Sequence, residues 1–184
     1  MKKLEESGGH PICGIIDYDN ANIGTKLIHI LGGRRRYAIE NYLLDPIFIA
    51  LGLIRHGKKR FSDFSIQSKS VYIEGDALTE AELQSIVDSI LNSLGLNTGS
   101  KSPVKLENGF DLIYPDAFLM LHGHTYEVKL LEKIPELNAI KRGRDDGALK
   151  EQMLHVICDF PQFLPIDVCE TLRPILAGKK RLED

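Results

Sequence analysis

Two short and largely apolar runs constrain the fold more than any other feature of this sequence. They cover residues 12–16 and 26–31, and neither shows the strict alternation of a strand with one solvated face. Runs of this kind are typical of strands that are covered on both faces, as in parallel sheets. The sequence therefore predicts an α/β domain in which helices flank a partly parallel sheet.

Local signals place helices along the rest of the chain. Asp45 precedes Pro46, an N-cap and first-turn pair that predicts a helix of about ten residues. Thr79 and Glu82 have the spacing of a capping box, ahead of an amphipathic pattern. Further helical segments are expected at residues 37–44, 125–134, 148–158 and 166–176, which gives a helical C-terminal part. Residues 110–114 and 117–121 are expected to form two strands or one broken strand. Residues 61–73 give an ambiguous signal that is compatible with short strands, and residues 95–109 are expected to form a turn-rich loop.

The length of 184 residues corresponds to one domain. We assign residues 1–10 to a disordered lead-in, 11–178 to the α/β domain and 179–184 to a tail. No apolar stretch approaches the roughly 20 residues that cross a bilayer, and the polar N-terminus has no signal-peptide core. The three cysteines form no CxxC pair, so a reduced, cytoplasmic protein without a disulfide framework is expected.

The net charge of −3 gives no global attraction to nucleic acid or to a membrane surface. Any anion binding must come from local clusters. Three consecutive arginines, Arg34, Arg35 and Arg36, follow the second apolar run, and guanidinium groups bind phosphate oxygens as bidentate donors.

Acidic residues follow both apolar runs. Asp17 and Asp19 come directly after the first run, with Asn20 beside them. In an extended backbone the side chains at i and i+2 point the same way, and paired carboxylates suit Mg²⁺ or Mn²⁺. Alternatively, Asp19 and Asn20 make a turn and Asp17 caps a helix. Glu40, with Asn41 after it, would lie near the end of the neighbouring strand, or else on a solvated helix end with salt bridges to the arginines.

The stretches IIDYDN and RRRYAIENYLLDP together resemble the Toprim-like domain of the overcoming-lysogenization-defect nucleases. They are closer still to a related uncharacterised family that is often coupled to ABC-type ATPases in phage defence. The stretches GHTYEVKLLEKIP and FPQFLPIDVCETLRPI are similar to the end of those domains, so the resemblance spans roughly residues 12–176, with the middle third unmatched.

The resemblance implies a magnesium-dependent nuclease that cleaves DNA or RNA. Asp17 and Asp19 would bind the metal, Glu40 would be the additional catalytic acid and Lys129 the catalytic lysine. The family also carries a glutamate after a strand upstream of its DxD motif. Here Glu5 and Glu6 follow no apolar run, so this glutamate is expected to be missing, or supplied by a partner.

Two other functions stay open. The stretch IDYDN also looks like the first strand of NYN/PIN-like ribonucleases, in which Asp111 and Asp116 could supply further carboxylates, although ENYLLDP has no place in that fold. The domain could also be a non-catalytic module that binds an ATPase partner. A zinc site at His122, His124 and Glu127 is less expected than packing of these loop histidines.

Overall fold

The computed structural model describes residues 14–25, 27–141 and 147–180. Within them the strands are β1 (Gly14–Ile16), β2 (Ile28–Ile30), β3 (Lys101–Lys105) and β4 (Asp111–Pro115). The α-helices are α1 (Glu40–Leu43), α2 (Pro46–Arg55), α3 (Glu80–Ser93), α4 (Asp116–Leu119), α5 (Gly123–Lys133), α6 (Leu137–Ile140), α7 (Ala148–Asp159) and α8 (Ile166–Lys180). Short 3₁₀ segments lie at Leu31–Arg34, Phe61–Phe64, Tyr72–Ala77 and Pro161–Phe163.

The first two strands form a small parallel sheet. Gly14 pairs with Ile28 and Ile16 with Ile30, so the carboxyl ends of β1 and β2 lie at the same edge. The α/β class and the parallel pairing of the two apolar runs are confirmed, although residues 12, 13 and 26 lie outside the described chain. Complete burial of the strands is not observed, because Ile15 is 38% exposed.

The second sheet corrects the prediction of a loop at residues 95–109. Strand β3 lies inside that range and pairs antiparallel with β4, from Lys101 opposite Pro115 to Lys105 opposite Asp111. Val104 and Leu112 are buried on the inner face. The tertiary pairing overrides a turn-rich local composition, and the described chain has two two-stranded sheets in place of one larger sheet.

Two further strand predictions are wrong. Residues 117–121 fall largely on helix α4, which begins at Asp116 after Pro115. A short apolar run does not distinguish a buried strand from a buried helix, and here Pro115 and Asp116 provide a helix start. Residues 61–73 contain a 3₁₀ turn at Phe61–Phe64 in place of a strand, and both phenylalanines are buried. A second 3₁₀ turn begins at Tyr72.

Helix α2 is the centre of the hydrophobic core. All of its residues from Pro46 to Ile54 are buried, and it packs against α3 and α7. Asp45 caps it as predicted, since its Oδ1 accepts a hydrogen bond from the Ile47 amide at 2.9 Å. The capping box of Thr79 and Glu82 at the start of α3 is also confirmed.

Helix α8 closes the fold against the segment that follows β2. The Thr171 hydroxyl of α8 accepts a hydrogen bond from the Gly32 amide at 3.1 Å, and Val168 packs with Leu31 in a second, smaller core. The helix continues to Lys180, so residues 179 and 180 extend it instead of starting a tail. In the described ranges, no helix combines the length and the apolar character needed to cross a membrane.

Candidate functional site around Asp17 and Glu40

Asp17 lies immediately after β1 and ties this strand to the segment that leads into α1. Its Oδ1 accepts a hydrogen bond from the Ile39 amide at 2.7 Å. The Asp19 amide donates to the Tyr37 carbonyl at 3.1 Å, so the two segments are joined twice. Asp19 and Asn20 have φ angles of +48° and +56° and form a turn, as the alternative interpretation of this stretch predicted.

Glu40, the first residue of α1, lies against the N-terminus of α5. Its Oε1 accepts a hydrogen bond from Lys150 Nζ at 2.8 Å, and a Cβ atom on Gly123 would collide with its Oε2. Any side chain at position 123 would require the Glu40 carboxylate to move. Burial alone would raise the pKa of Glu40, but the hydrogen bond and charge of Lys150, together with His122, lower it below its ordinary value.

The Asp17 carboxylate lies near other charged groups at the carboxyl end of β1. Burial raises the pKa of Asp17, and the hydrogen bond from Ile39 opposes this rise. The charges of Glu40 and Asp19 raise the pKa further, because nearby like charges disfavour ionisation, and the charge of Lys150 lowers it. Asp17, Glu40 and Lys150, with the exposed Asp19, are called the carboxylate cluster below.

Lys150, on α7, is the basic residue of this cluster. In addition to Glu40, its Nζ binds the buried Glu127 Oε2 at 3.2 Å. Burial would lower the pKa of Lys150, but the two carboxylates raise it, so the ammonium is charged. Lys129 was predicted in this role, and none of the described contacts joins it to the cluster. Lys150 is 110 residues from Glu40 and carries no local sequence signal that would have found it.

The three arginines lie in different environments. Arg34 and Arg35 are exposed, and the Arg34 guanidinium lies over the Tyr18 ring, 5.7 Å from its centroid, beside the turn at Asp19. Arg36 is only 1% exposed, and its Nη1 pairs with Asp45 Oδ2 at 2.7 Å. The phosphate-binding prediction for Arg36 is corrected on this ground, because the interior of the protein already holds its charge.

Asn41 is a structural residue in the same region. Its Oδ1 accepts a hydrogen bond from the Ala38 amide and its Nδ2 donates to the Phe118 carbonyl, both at 3.0 Å. The buried amide thereby holds α1 against α4. Nothing in these contacts directs Asn41 toward the carboxylate cluster.

The described carboxylates do not form a closed metal cage. In the described ranges, no three Asp, Glu, His or Cys side chains converge closely enough to enclose a metal. Magnesium is also bound by one or two carboxylates together with several waters and substrate phosphates. Asp17 has an oxygen that Ile39 does not use, whereas Glu40 is paired with Lys150, so the residues present fit only an open site of this kind.

The zinc and NYN/PIN arrangements gain no support from the geometry. His122 packs against the Tyr37 ring with centroids 5.5 Å apart, and Glu127 is paired with Lys150. Asp116 Oδ1 accepts a hydrogen bond from the Ser102 hydroxyl, and no described contact brings it to Asp17. His122 and Glu127 therefore belong to the surroundings of Glu40, and Asp116 has a different hydrogen-bond partner.

Comparison with known proteins gives no relative. No protein-family model, curated protein or solved structure matches this chain. The resemblance to the overcoming-lysogenization-defect nucleases stays a prediction, and the function is argued below from the site alone.

Proposed function

We propose that this chain is a Toprim-like, magnesium- or manganese-dependent nuclease module that cleaves phosphodiester bonds in DNA or RNA. One observation carries the proposal. At the carboxyl end of the parallel strand β1, Asp17 binds the amide of Ile39, the residue before Glu40, and the Glu40 carboxylate is held by Lys150 at the start of α5. Ligand sites of open α/β sheets lie outside the carboxyl ends of their strands.

Each residue of the cluster has a distinct role in the proposal. Asp17 and Glu40 would hold the cation, with the exposed Asp19 at the rim. A cation bound there would polarise the phosphate and activate a water. Lys150 keeps Glu40 ionised and in place. The exposed Arg34 and Arg35 would offset the negative charge on phosphate oxygens.

The proposal includes a partner protein. The resemblance implies an ATPase, and we propose that the module works with such an ATPase in a cytoplasmic anti-phage system.

A second candidate function follows from the position of Lys150. Its ammonium forms ion pairs with both Glu40 and Glu127. These ion pairs offset the negative charge that a metal cation would otherwise neutralise. A domain stabilised in this way needs no metal and could serve as a non-catalytic module that docks onto the ATPase.

Calorimetric titration with Mg²⁺ and Mn²⁺ tests the two functions. Asp17→Asn preserves the shape of the side chain and the oxygen that binds Ile39, and Asp111→Asn is the matched control, since Asp111 is exposed and lies outside the cluster. Cation binding in the wild type and the control that is lost in Asp17→Asn supports the nuclease, and cleavage of DNA and RNA oligonucleotides with and without EDTA then identifies the substrate. An absence of cation binding in the wild type overturns the nuclease and favours the docking module.

A further inference from the structure

A pocket of about 540 Å³ lies beside the candidate site, between β3 and the segment before α1. Its polar lining includes Arg35, Asp116 and Asp167, and its apolar wall includes Val104, Leu119 and Met120. The volume lies within the range of small-molecule sites, which are mostly apolar with a few placed polar groups. The pocket is therefore large enough for a planar ring system with a sugar attached.

Both signs of charge face this pocket. Arg35 is exposed and forms no ion pair in the described part of the chain. Asp116 is ionised, because hydrogen bonds from Ser100 and Ser102 lower its pKa. Asp167 is only 6% exposed and accepts a hydrogen bond from the Tyr42 hydroxyl at 3.2 Å. A ligand that is purely anionic would meet two carboxylates, so the pocket favours a ligand that both donates and accepts hydrogen bonds.

One of the lining residues, Arg36, carries a buried donor. Arg36 lines the pocket, and its Nη2 is buried without a hydrogen-bond acceptor in the described chain. Buried donors of this kind are rare in folded proteins and call for an explanation. Arg35 and Asp167 also line an adjoining pocket of about 270 Å³, so the two pockets form one groove on either side of them.

The pocket is joined to the candidate site through Tyr37. The Tyr37 amide donates to the Leu119 carbonyl in the pocket wall at 2.9 Å, and the Tyr37 carbonyl accepts from the Asp19 amide. Tyr37 thus links the turn after Asp17 to the pocket wall through two backbone hydrogen bonds.

We propose that this pocket binds a guanine base, with Arg35 and Asp116 as the residues that read it. Guanine presents acceptors at N7 and O6, which suit a guanidinium, and N–H donors on its Watson–Crick edge, which suit a carboxylate. Its flat face would lie against the wall of Val104, Leu119 and Met120. The inference rests on the proposed function, because it names the nucleotide that the nuclease would prefer. It assigns Arg35 to the base and leaves Arg34 for the phosphate.

The test is titration with 5′-GMP, 5′-AMP, 5′-CMP and 5′-UMP in the presence of EDTA, followed by NMR chemical shifts. GMP is expected to bind at least tenfold more tightly than the other three, with shifts at residues 102–104 and 116–120. Arg35→Gln and Asp116→Asn should each weaken GMP binding about tenfold, the scale of a hydrogen bond to a charged group. Arg60→Gln is the matched control, since Arg60 is exposed, lies outside the candidate site and does not line the pocket. Arg34→Gln separately measures the contribution of attraction to the phosphate.

Two results would overturn the inference. Equal affinity for the four nucleotides, or no binding, would exclude a base-reading pocket. Equal weakening by Arg34→Gln and Arg35→Gln would indicate attraction to phosphate alone. EDTA removes divalent cations, so selective GMP binding can be observed even if the proposed metal site is wrong. Cation binding at Asp17 can likewise be observed even if the pocket binds no base.

Discussion

The buried ion pair of Arg36 and Asp45 gives the sharpest test of how this fold is held together. Asp45 Oδ2 binds Arg36 Nη1 at 2.7 Å, and its Oδ1 caps α2 and accepts the Tyr114 hydroxyl at 3.0 Å. Both side chains are almost fully buried, with exposures of 1% and 2%. Burial would lower the pKa of Arg36, but Asp45 raises it well above its ordinary value, so Arg36 is charged inside the core.

Asp45→Asn removes the negative charge and retains the shape of the side chain. Asparagine is as good an N-cap as aspartate, so the start of α2 is largely preserved. The variant therefore leaves the buried charge of Arg36 without its partner. This lowers the free energy of unfolding by about 3–5 kcal/mol. In a domain of this size that corresponds to a decrease in Tm of about 6–20 °C.

Chemical denaturation followed by circular dichroism measures this loss of unfolding free energy. The m value, which is the slope of the free energy against denaturant concentration, should be the same in the wild type and the variant. Asp159→Asn is the matched control, because Asp159 pairs with Arg55 at 2.9 Å with side-chain exposures of 40% and 35%. An exposed pair of this kind contributes at most about 1 kcal/mol. The double variant Arg36→Met with Asp45→Asn should recover much of the stability, since it removes the unpaired charge.

A loss below about 1 kcal/mol for Asp45→Asn would refute the argument, because it would mean that Arg36 finds water or another partner. A double variant no more stable than Asp45→Asn would show that packing around the guanidinium matters more than its charge. The stacking of Arg36 over the rings of Tyr42 and Tyr114, at 4.8 and 5.1 Å from their centroids, would then be the main contribution.

Three further outcomes follow from the contacts. Gly123→Ala should displace the Glu40 carboxylate and weaken Mn²⁺ binding in calorimetry while the far-UV circular dichroism is retained; unchanged affinity would contradict the contact. Hydrogen bonds from Ser68 and Thr79 lower the pKa of Glu82, so this residue stabilises the fold above pH about 4.5 and less as the pH falls through its folded value; Glu82→Gln should flatten the dependence of unfolding free energy on pH between about 5 and 3. Burial, with a hydrogen bond to Glu107, raises the pKa of Cys169 to about 11, which reduces its thiolate fraction near neutral pH roughly 100-fold. Alkylation followed by peptide mapping should therefore modify the exposed Cys158 faster than Cys169. Equal alkylation rates at these two cysteines would argue against the burial of Cys169.

Signals between neighbouring residues in the sequence were sufficient to predict where two of the helices begin. Helix α2 begins where Asp45 and Pro46 predict, and α3 begins at its capping box, because these hydrogen bonds join residues two or three positions apart. The two apolar runs also predicted the parallel pair β1 and β2, since their composition was sufficient to indicate strands. The parallel pairing also places the carboxyl ends of β1 and β2 at one edge, and Asp17 follows directly after β1.

Tertiary structure decided what depends on distant parts of the chain. Lys150 and not Lys129 meets Glu40, because α7 packs beside α1 after a separation of 110 residues. Arg36 and Arg35 are adjacent and chemically identical, yet one is buried on Asp45 and the other is exposed. Strand β3 forms in a turn-rich stretch because β4 offers it hydrogen bonds. In each case the structure depends on burial against, or pairing with, an element that is distant in the sequence. The local composition therefore does not predict it.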